Sequence, residues 1–411
     1  MRPRIRLHWA WIILACGFFN LFISYSVRLG YGVVLPEMIG DLGLSRTAGG
    51  TIFNAYLLVY VTVAPLTGFL TDRLGARLVI SGSALILGLG AVLMGLSTSL
   101  GSVAAFFGLA GLGATGMWAP VITVVQRWFH PSRRGLALGL LSTGYGLGFA
   151  AVGASFPWLV ANLSWRYAWF ILGWAALIMV LVNALLVRSD PHPTGARPWG
   201  GAGPGKFPQR PAGPATRGPA WWVFGERRFW LIGGSYFCLA YALYGLTTFM
   251  VDYARYELGA APERASLLAT VHGIGQVVGV LTILPLSDRL GRKRTMVLSD
   301  AVVTAVLLGV LLTWGSLTAL FVLVGVLAVF YGATFPIYGA CAGDYFPREV
   351  MGTVIGAWTP FYGAGAILVH WVSGILVDRL GSYQAPFVIN VILAGLGLAL
   401  ISCLRKPPER V

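Results

Sequence analysis

Charged side chains are scarce in this sequence of 411 residues. Asp, Glu, Lys and Arg together make up 10% of it, whereas hydrophobic residues make up 57%. Soluble domains carry about 25% charged residues, and a soluble fold of this length could not hide so much apolar side chain. The composition therefore excludes a soluble protein and indicates one that crosses a membrane many times.

Signatures of ATP hydrolysis, metal binding and catalysis are also missing. No GxxxxGK[ST] loop is present to hold nucleotide phosphates, and His and Cys residues show no metal-ligand spacing. No pairing of a nucleophile with a base suggests an enzyme. The cysteines stand apart in apolar stretches, which favours packing over disulfides; they are Cys16, Cys238, Cys341 and Cys403. We therefore expect no enzyme activity, no cofactor and no metal.

Acidic residues are few, 14 against 29 Lys and Arg, so the formal net charge is +15. If the chain crosses the membrane twelve times from a cytoplasmic N-terminus, most basic residues fall on cytoplasmic segments. This is the positive-inside pattern, and contact with anionic lipid headgroups explains the basic excess without a nucleic-acid partner. We expect an integral protein of a bacterial inner membrane that works as a monomer, with both termini cytoplasmic.

Long apolar runs occupy most of the chain. A helix needs about 20 apolar residues to cross the hydrocarbon core at 1.5 Å per residue. Twelve such runs predict an all-α membrane protein. The predicted spans are approximately 9–36, 48–71, 77–97, 101–127, 134–160, 166–187, 228–252, 264–286, 295–315, 317–344, 351–376 and 384–403.

One charged loop recurs between these runs. It reads GFLTDRLGAR at Gly68–Arg77, LPLSDRLGRKR at Leu284–Arg294 and GILVDRLGS at Gly374–Ser382. A weaker relative, NLSWRYAWF, lies at Asn162–Phe170. The spacing indicates a unit of about ninety residues used four times, and internal repeats in an apolar chain point to a transporter.

A segment rich in proline and glycine separates the sixth and seventh runs. Ser189–Ala220 holds eight prolines and seven glycines, a density that predicts a flexible cytoplasmic linker. The chain is therefore predicted to have an N-terminal six-helix bundle at residues 1-188, a linker at 189-220 and a C-terminal six-helix bundle at 221-411.

The pattern G-x-L-x-D-R-x-G-x-R resembles the signature loop of the major facilitator superfamily. Within that superfamily, Gln126–Gly148 resembles the stretch that joins spans four and five in the branch of monocarboxylate porters and oxalate/formate exchangers. The resemblance implies two pseudo-symmetric six-helix bundles. It also implies a substrate site near the membrane midplane and transport by alternating access.

The resemblance also assigns an inner gate. In the superfamily this charged loop stabilises the outward-open state, and Asp72 is expected to pair with Arg133 or Arg134. The residues assigned to the gate are Gly68, Asp72, Arg73, Gly75, Arg77, Arg133, Arg134, Asp288, Arg289, Gly291 and Arg292.

The sequence departs from the branch where substrate would bind. Monocarboxylate porters carry an Asp and, four residues on, an Arg in span eight, but these positions hold Gln276 and Val280. The lysine of the oxalate exchangers in span eleven also has no counterpart. In span one, the porters' basic position aligns with Leu29, and its neighbour Arg28 is basic.

Arg28 is therefore the predicted cation for a substrate anion. A charge inside a span costs at least ~2.5 kcal/mol, so it faces protein or water and often marks function. Two alternatives remain open: a structural pair with an acid such as Glu37 or Asp252, and a side chain that snorkels to the interface.

Three further polar residues lie inside predicted spans. His272 and Gln276 are one helical turn apart in span eight, where they could hydrogen-bond substrate, and His272 could also carry a proton. Asp300 in span nine is a second proton candidate, or alternatively part of the inner charge network.

Aromatic residues complete the predicted site, with a helix break expected at Pro336 in span ten. The predicted lining is Tyr25, Tyr31, Trp118, Tyr145, Tyr331, Phe335, Trp358 and Tyr362. A sparsely charged aromatic wall suits a small amphipathic solute with at most one charge.

The sequence and the resemblance together predict secondary transport of a small organic anion, a monocarboxylate, with a co-transported proton. The first alternative is transport of a neutral or zwitterionic solute, which the missing arginine at Val280 favours. The second is a membrane receptor that does not transport, which the intact gating motif disfavours.

Overall fold

The computed structural model describes residues 8–130, 133–191, 197–200, 220–346 and 350–405. Helices account for nearly all of the described secondary structure. Within these ranges, one isolated β-bridge also pairs the backbones of Phe129 and Trp199.

Fourteen α-helices lie in the described ranges, and they supply twelve segments long and apolar enough to cross a membrane. The predicted all-α fold of twelve transmembrane helices is therefore confirmed. Spans four and seven are each made of two helices, α4 with α5 and α8 with α9. The helices are α1 (Trp9–Leu42), α2 (Arg46–Leu74), α3 (Ala76–Gly95), α4 (Leu100–Ala114), α5 (Ala119–Trp128), α6 (Arg134–Asn162), α7 (Trp165–Leu186), α8 (Arg227–Thr247), α9 (Met250–Tyr256), α10 (Pro262–Leu290), α11 (Arg292–Leu312), α12 (Leu317–Tyr345), α13 (Met351–Leu380) and α14 (Gln384–Ser402).

Glycine in the left-handed region separates consecutive helices at each strong copy of the repeated loop. Gly75 between α2 and α3 has φ +83°, Gly291 between α10 and α11 has φ +87°, and Gly381 after α13 has φ +68°. Residues with a Cβ rarely adopt such angles. The glycine of D-R-L-G is therefore what allows the chain to leave one helix and turn into the next.

The helix break expected at Pro336 is wrong, because α12 runs without interruption from Leu317 to Tyr345. Proline removes one backbone hydrogen bond, and packed helices in membranes tolerate that loss. Two breaks occur elsewhere instead. A short 3₁₀ turn at Thr115–Met117 separates α4 from α5, and Thr248 and Phe249 separate α8 from α9.

The chain divides into two compact units. The first comprises Met1–Met38 and Ala55–Gly205, and the second comprises Ile39–Asn54 and Lys206–Val411. The turn between α1 and α2, with the first residues of α2, thus belongs to the second unit. The boundaries 1-188, 189-220 and 221-411 stay a prediction.

Small residues set the closest helix contacts within the second unit. A Cβ built on Gly279 of α10 would lie 1.8 Å from the carbonyl oxygen of Val329 on α12. One built on Gly332 of α12 would lie 2.3 Å from the carbonyl oxygen of Gln276. Glycine at both positions therefore lets the two backbones touch, as expected where no hydrophobic force drives helices together in lipid.

A short part of the predicted linker is packed. Trp199 donates its backbone N–H to the carbonyl of Trp128, and its ring lies 5.0 Å from that of Trp11 and 5.7 Å from that of Phe129. This residue of the predicted linker is therefore packed against α1 and the end of α5, whereas the linker as a whole stays a prediction. Its aromatic ring anchors the backbone where proline and glycine alone would not.

Candidate functional site

Arg28 lies in the middle of α1 and is buried, with 4% of its surface exposed. Its guanidinium carbon is 5.9 Å from the ring centroid of Tyr25, 6.0 Å from that of Tyr56 and 5.2 Å from that of Tyr60. Tyr25 precedes Arg28 by almost one helical turn, and Tyr56 and Tyr60 are one turn apart on α2. The electron-rich ring faces stabilise a cation at these distances.

We call Arg28 with the rings of Tyr25, Tyr56 and Tyr60 the tyrosine cage. Two more predicted residues adjoin it. The Tyr145 ring on α6 lies 5.0 Å from that of Tyr25, and the Trp118 ring lies 6.2 Å from that of Tyr145. Trp118 directly follows the break between α4 and α5. The structure therefore brings Arg28, Tyr25, Tyr145 and Trp118 together within the first unit.

Tyr31 is linked to this group through Phe107, whose ring lies 4.8 Å from that of Tyr56. It has no exposed surface, and its ring stacks on Phe107 with centroids 4.9 Å apart. Tyr56 and Tyr60, in contrast, were missed by sequence reasoning. Their spacing of four residues on α2 is the signal that would have placed them on one helix face.

His272 and Gln276 contact each other in the second unit. Gln276 Nε2 lies 2.9 Å from His272 Nδ1, and His272 Nε2 lies 3.1 Å from the Thr247 hydroxyl. Both side chains have no exposed surface, and the Tyr331 ring packs edge-on against His272 at 4.9 Å. The two predicted polar residues thus form one buried hydrogen-bonded chain from α10 to the end of α8.

Asp300 is buried on α11, with 1% of its surface exposed. The Ser235 hydroxyl lies 3.2 Å from its Oδ2, and the same hydroxyl lies 2.7 Å from that of Tyr338. Burying an ionised carboxylate is costly unless it is paired and hydrogen-bonded. The arrangement therefore suits a group that can hold a proton.

Aromatic rings from two helices, α12 and α13, surround Tyr236 of α8. Tyr338 stacks on it at 4.2 Å, and Tyr362 and Phe335 lie at 4.7 Å and 6.0 Å. Tyr236 was missed by sequence reasoning. The predicted residue Trp358 is buried beside this wall, and its indole donates to the carbonyl of Phe229.

Several predicted gate residues are held by local contacts. The Arg73 guanidinium lies 4.5 Å from the Phe69 ring, Arg77 donates to the carbonyl of Ala184, and Arg292 donates to the Ser287 hydroxyl. Arg133 and Arg289 are exposed, and a Cβ on Gly68 would meet nothing within 4 Å. The side chains of Asp72, Arg134 and Asp288 lie outside the described residues, so their pairing stays a prediction.

A polar cluster that sequence reasoning missed lies where α2 begins. Arg46 Nε is 2.7 Å from Asp252 Oδ2, and the Tyr383 hydroxyl donates to the same carboxylate oxygen. Glu257 accepts from the Tyr383 backbone N–H and from the Ser382 hydroxyl. These residues form what we call the Asp252 cluster, in which Asp252 pairs with Arg46.

Burial sets the protonation of two members of this cluster. It raises the pKa of Glu257 above its ordinary value, against the opposing effect of its hydrogen bonds and of the Arg46 charge. It also raises the pKa of Tyr383 well above its ordinary value. Tyr383 therefore keeps its proton at any physiological pH, as a donor to Asp252 must.

Asp378 holds the first turn of α2. Its carboxylate accepts from the backbone N–H groups of Arg46 at 2.9 Å and Thr47 at 2.8 Å, and from the Thr47 hydroxyl at 2.5 Å. The first amides of a helix have no partner within the helix, and a carboxylate there is favourable. Asp378 thus caps α2 from the end of α13.

Twelve membrane-spanning helices, a repeated charged loop and buried ionisable residues define a transporter fold. The chain belongs to the Major Facilitator Superfamily, whose family model matches residues 15–253 and 232–411. It is therefore an integral membrane protein and a small-molecule transporter of that family, and not an enzyme.

Individual relatives span almost the whole chain. A probable sulfoacetate transporter of Cupriavidus necator is 25% identical, over 99% of this chain and 96% of the relative. Monocarboxylate transporter 13 of Rattus norvegicus is 27% identical, over 98% of this chain and 92% of the relative. The predicted likeness to monocarboxylate transporters is thereby confirmed.

The fold also matches solved structures. A bacterial homologue of the human lysosomal transporter Spinster, solved in an inward-facing and unoccupied conformation, superimposes with a TM-score of 0.74. The match covers 98% of this chain and 97% of that chain at 17% sequence identity. At this identity the match bears on the fold alone, and it agrees with the twelve-helix architecture.

Proposed function

We propose that the protein is a secondary active transporter of a small organic anion, a monocarboxylate, that works by alternating access. The observation that carries the proposal is Arg28, a buried cation held among three tyrosine rings. Relatives named for sulfoacetate and monocarboxylate transport support an anionic substrate.

The chemistry of the tyrosine cage fits this substrate class. A guanidinium holds a carboxylate through two parallel hydrogen bonds, and such charge-assisted bonds are strong. The rings of Tyr25, Tyr145 and Trp118 supply apolar surface for the rest of the molecule. A site that is mainly aromatic with one cation selects a small acid with one charge.

The test is counterflow of labelled lactate-sized acids into proteoliposomes, with calorimetry on purified protein. Loss of a charge-assisted bond in a buried site costs about 1.5–3 kcal/mol, so Arg28→Ala should weaken binding at least tenfold. Arg28→Lys keeps the charge, loses the bidentate fork and should retain a fraction of the binding. Arg166→Ala, which removes another arginine held by a ring contact to Trp165, is the matched control.

The second part of the proposal is proton coupling, with His272 and Asp300 as the candidate carriers. Both side chains are buried and hydrogen-bonded, and an ionisable group inside a span often marks a proton path. Uptake should rise when the outside is acidified, and a protonophore should abolish accumulation. If His272 carries the proton, His272→Gln should keep substrate exchange but lose pH-driven uptake; if Asp300 does, Asp300→Asn should have this effect. The control variant Glu226→Gln should change neither exchange nor pH-driven uptake.

A neutral or zwitterionic substrate is the alternative, favoured by Gln276 and Val280 standing where the porters carry an acid and an arginine. Thermal-shift screening separates the two, because carboxylic acids and their amides share shape and differ in charge. If the amides stabilise the protein and the acids do not, or if Arg28→Ala binds acids as well as the wild type does, the anion proposal is wrong.

We further propose the arrangement of the chain in the membrane. Bundles at residues 1-188 and 221-411 are joined by a linker at 189-220, and both termini are cytoplasmic in a bacterial inner membrane. The unit that transports is a monomer.

A further inference from the structure

Span seven is interrupted near one end. Helix α8 ends at Thr247 and α9 begins at Met250, so Thr248 and Phe249 form a two-residue break. The backbone N–H of Thr248 still bonds to the carbonyl of Tyr244, at 3.0 Å. The start of α9, in contrast, has no side-chain cap. The carbonyl of Phe249 still accepts from the backbone N–H of Tyr253, at 2.8 Å. Contacts with other helices therefore act together with the backbone in setting the direction of α9.

Two buried histidines contact consecutive threonines at this break. His272 of α10 places Nε2 at 3.1 Å from the Thr247 hydroxyl, and His370 of α13 places Nε2 at 3.0 Å from the Thr248 hydroxyl. Neither imidazole has any exposed surface. The two rings reach the break from different helices, so their two bonds together restrain its orientation.

The second nitrogen of each ring fixes which partner donates. The carbonyl of Ala366 can accept but not donate, so His370 Nδ1 carries the proton and His370 Nε2 accepts from Thr248. The Gln276 amide donates to His272 Nδ1, so His272 Nε2 carries the proton and donates to Thr247. Each histidine is thus held in one tautomer by a neighbour on its own helix.

The remainder of α9 is fastened at Asp252. This residue lies in the first turn of the helix and contacts Arg46 and Tyr383. On one side of the break the chain is the long helix α8, and on the other it is seven residues held by the Asp252 cluster. A short, separately fastened segment next to a break can change direction when its fastenings change.

We propose that residues 247–249 are a hinge in span seven, and that His272 and His370 are positioning residues that set the direction of α9 through the two threonine hydroxyls. The proposal gives His272 a role that does not depend on proton transport. It gives a role to His370, which the proposed function does not use.

Amide hydrogen exchange across α9 tests the hinge without a substrate, so its result is independent of the proposed function. Thr247→Val and Thr248→Val keep the side-chain shape and remove the hydroxyl. A hydrogen bond contributes about 1 kcal/mol, so each change should speed exchange in peptides covering Met250–Tyr256 about fivefold. Peptides from α11 should be unchanged.

The controls separate a hinge from general loosening. Thr282→Val also removes a threonine hydroxyl, but one that donates to the carbonyl of Val278 on its own helix, and it should leave α9 unchanged. Thr247→Ser and Thr248→Ser restore a hydroxyl and should restore slow exchange. The proposal would be overturned if amide exchange in α9 of both valine variants were as slow as in the wild type. It would also be overturned if the serine variants exchanged as fast as the valine variants.

A double-mutant cycle identifies the partner. His370→Phe keeps a ring to stack on Phe53, 4.4 Å away in the native structure, and removes the bond to Thr248. If the two groups act through one bond, Thr248→Val combined with His370→Phe should speed exchange no more than the larger single change. If the two changes instead multiply their effects on the exchange rate, His370 does not act through Thr248.

Discussion

Arg28 and Arg46 show how the partner decides what a positive charge does. Arg28 faces the rings of Tyr25, Tyr56 and Tyr60, which attract a cation weakly. Arg46 instead faces the carboxylate of Asp252, whose side chain is 1% exposed. The first arrangement suits binding of an anion and the second suits a structural contact.

The Arg46–Asp252 pair should matter for stability. Asp252→Asn leaves Arg46 without its carboxylate and should lower the free energy of unfolding by about 1–3 kcal/mol. Thermal unfolding of the purified protein measures this loss. The matched control is Glu226→Gln, because Glu226 and Arg228 form a more exposed pair at 3.2 Å, and exposed pairs contribute about 0–1 kcal/mol. Equal losses in the two variants would show that burial of Asp252 does not strengthen its pair.

Glu257 predicts a pH dependence of stability. Burial raises its pKa in the folded state above the ordinary 4.5, so folding favours the protonated form. Its contribution to stability is therefore fully present below pH 4.5 and is lost as the pH rises through the folded-state pKa. The melting temperature of the wild type should fall, relative to that of Glu257→Gln, as the pH rises from about 4 to 7. Parallel curves for the two proteins would contradict the prediction.

At the scale of helices, close backbone contact makes single glycines decisive. Gly279→Ala places a methyl group against the carbonyl of Val329 and must push α10 away from α12. Overpacking of this kind costs about 1–3 kcal/mol, which a lower melting temperature would report. Gly139→Ala is the matched control, since nothing lies within 4 Å of its Cβ position and alanine favours the helix. A melting temperature for Gly279→Ala as high as that of Gly139→Ala would show that α10 and α12 separate freely.

The sequence predicts helices better than it predicts their interruptions. Apolar length alone places twelve spans, because lipid forces each run to satisfy its own backbone. It does not place the break at Thr248 and Phe249, which no proline or glycine marks. It also does not place Tyr56, Tyr60 or the Asp252 cluster, because their roles come from neighbours distant in sequence. Arg28 is found because a charge inside a span is conspicuous.

At the scale of the whole molecule, the repeated loop is reused with related backbone geometry: ψ is 144° at Gly75 and 143° at Gly291, but 14° at Gly381. All three strong copies turn on a glycine with positive φ. In the third copy, Asp378 caps the first turn of α2 with its carboxylate. The repetition supports the expectation that Asp72, at the same position of the first copy, also binds a group outside its own helix.

The last prediction concerns that aspartate and the superfamily's inner gate. If Asp72 pairs with Arg133 or Arg134 when the inner side is closed, Asp72→Asn removes the pair and favours the inward-open state. A partly buried pair of about 1 kcal/mol would shift the two populations about fivefold.

The readout is labelling by a maleimide of single cysteines at Gly356 and Gly40, positions where a Cβ meets nothing within 4 Å. The four native cysteines are first replaced by alanine. In Asp72→Asn, labelling at Gly356→Cys should rise and labelling at Gly40→Cys should fall. Of the variants Arg133→Gln and Arg134→Gln, the one that removes the partner of Asp72 should reproduce both changes. If labelling at both positions is unchanged in Asp72→Asn, the aspartate does not hold the gate.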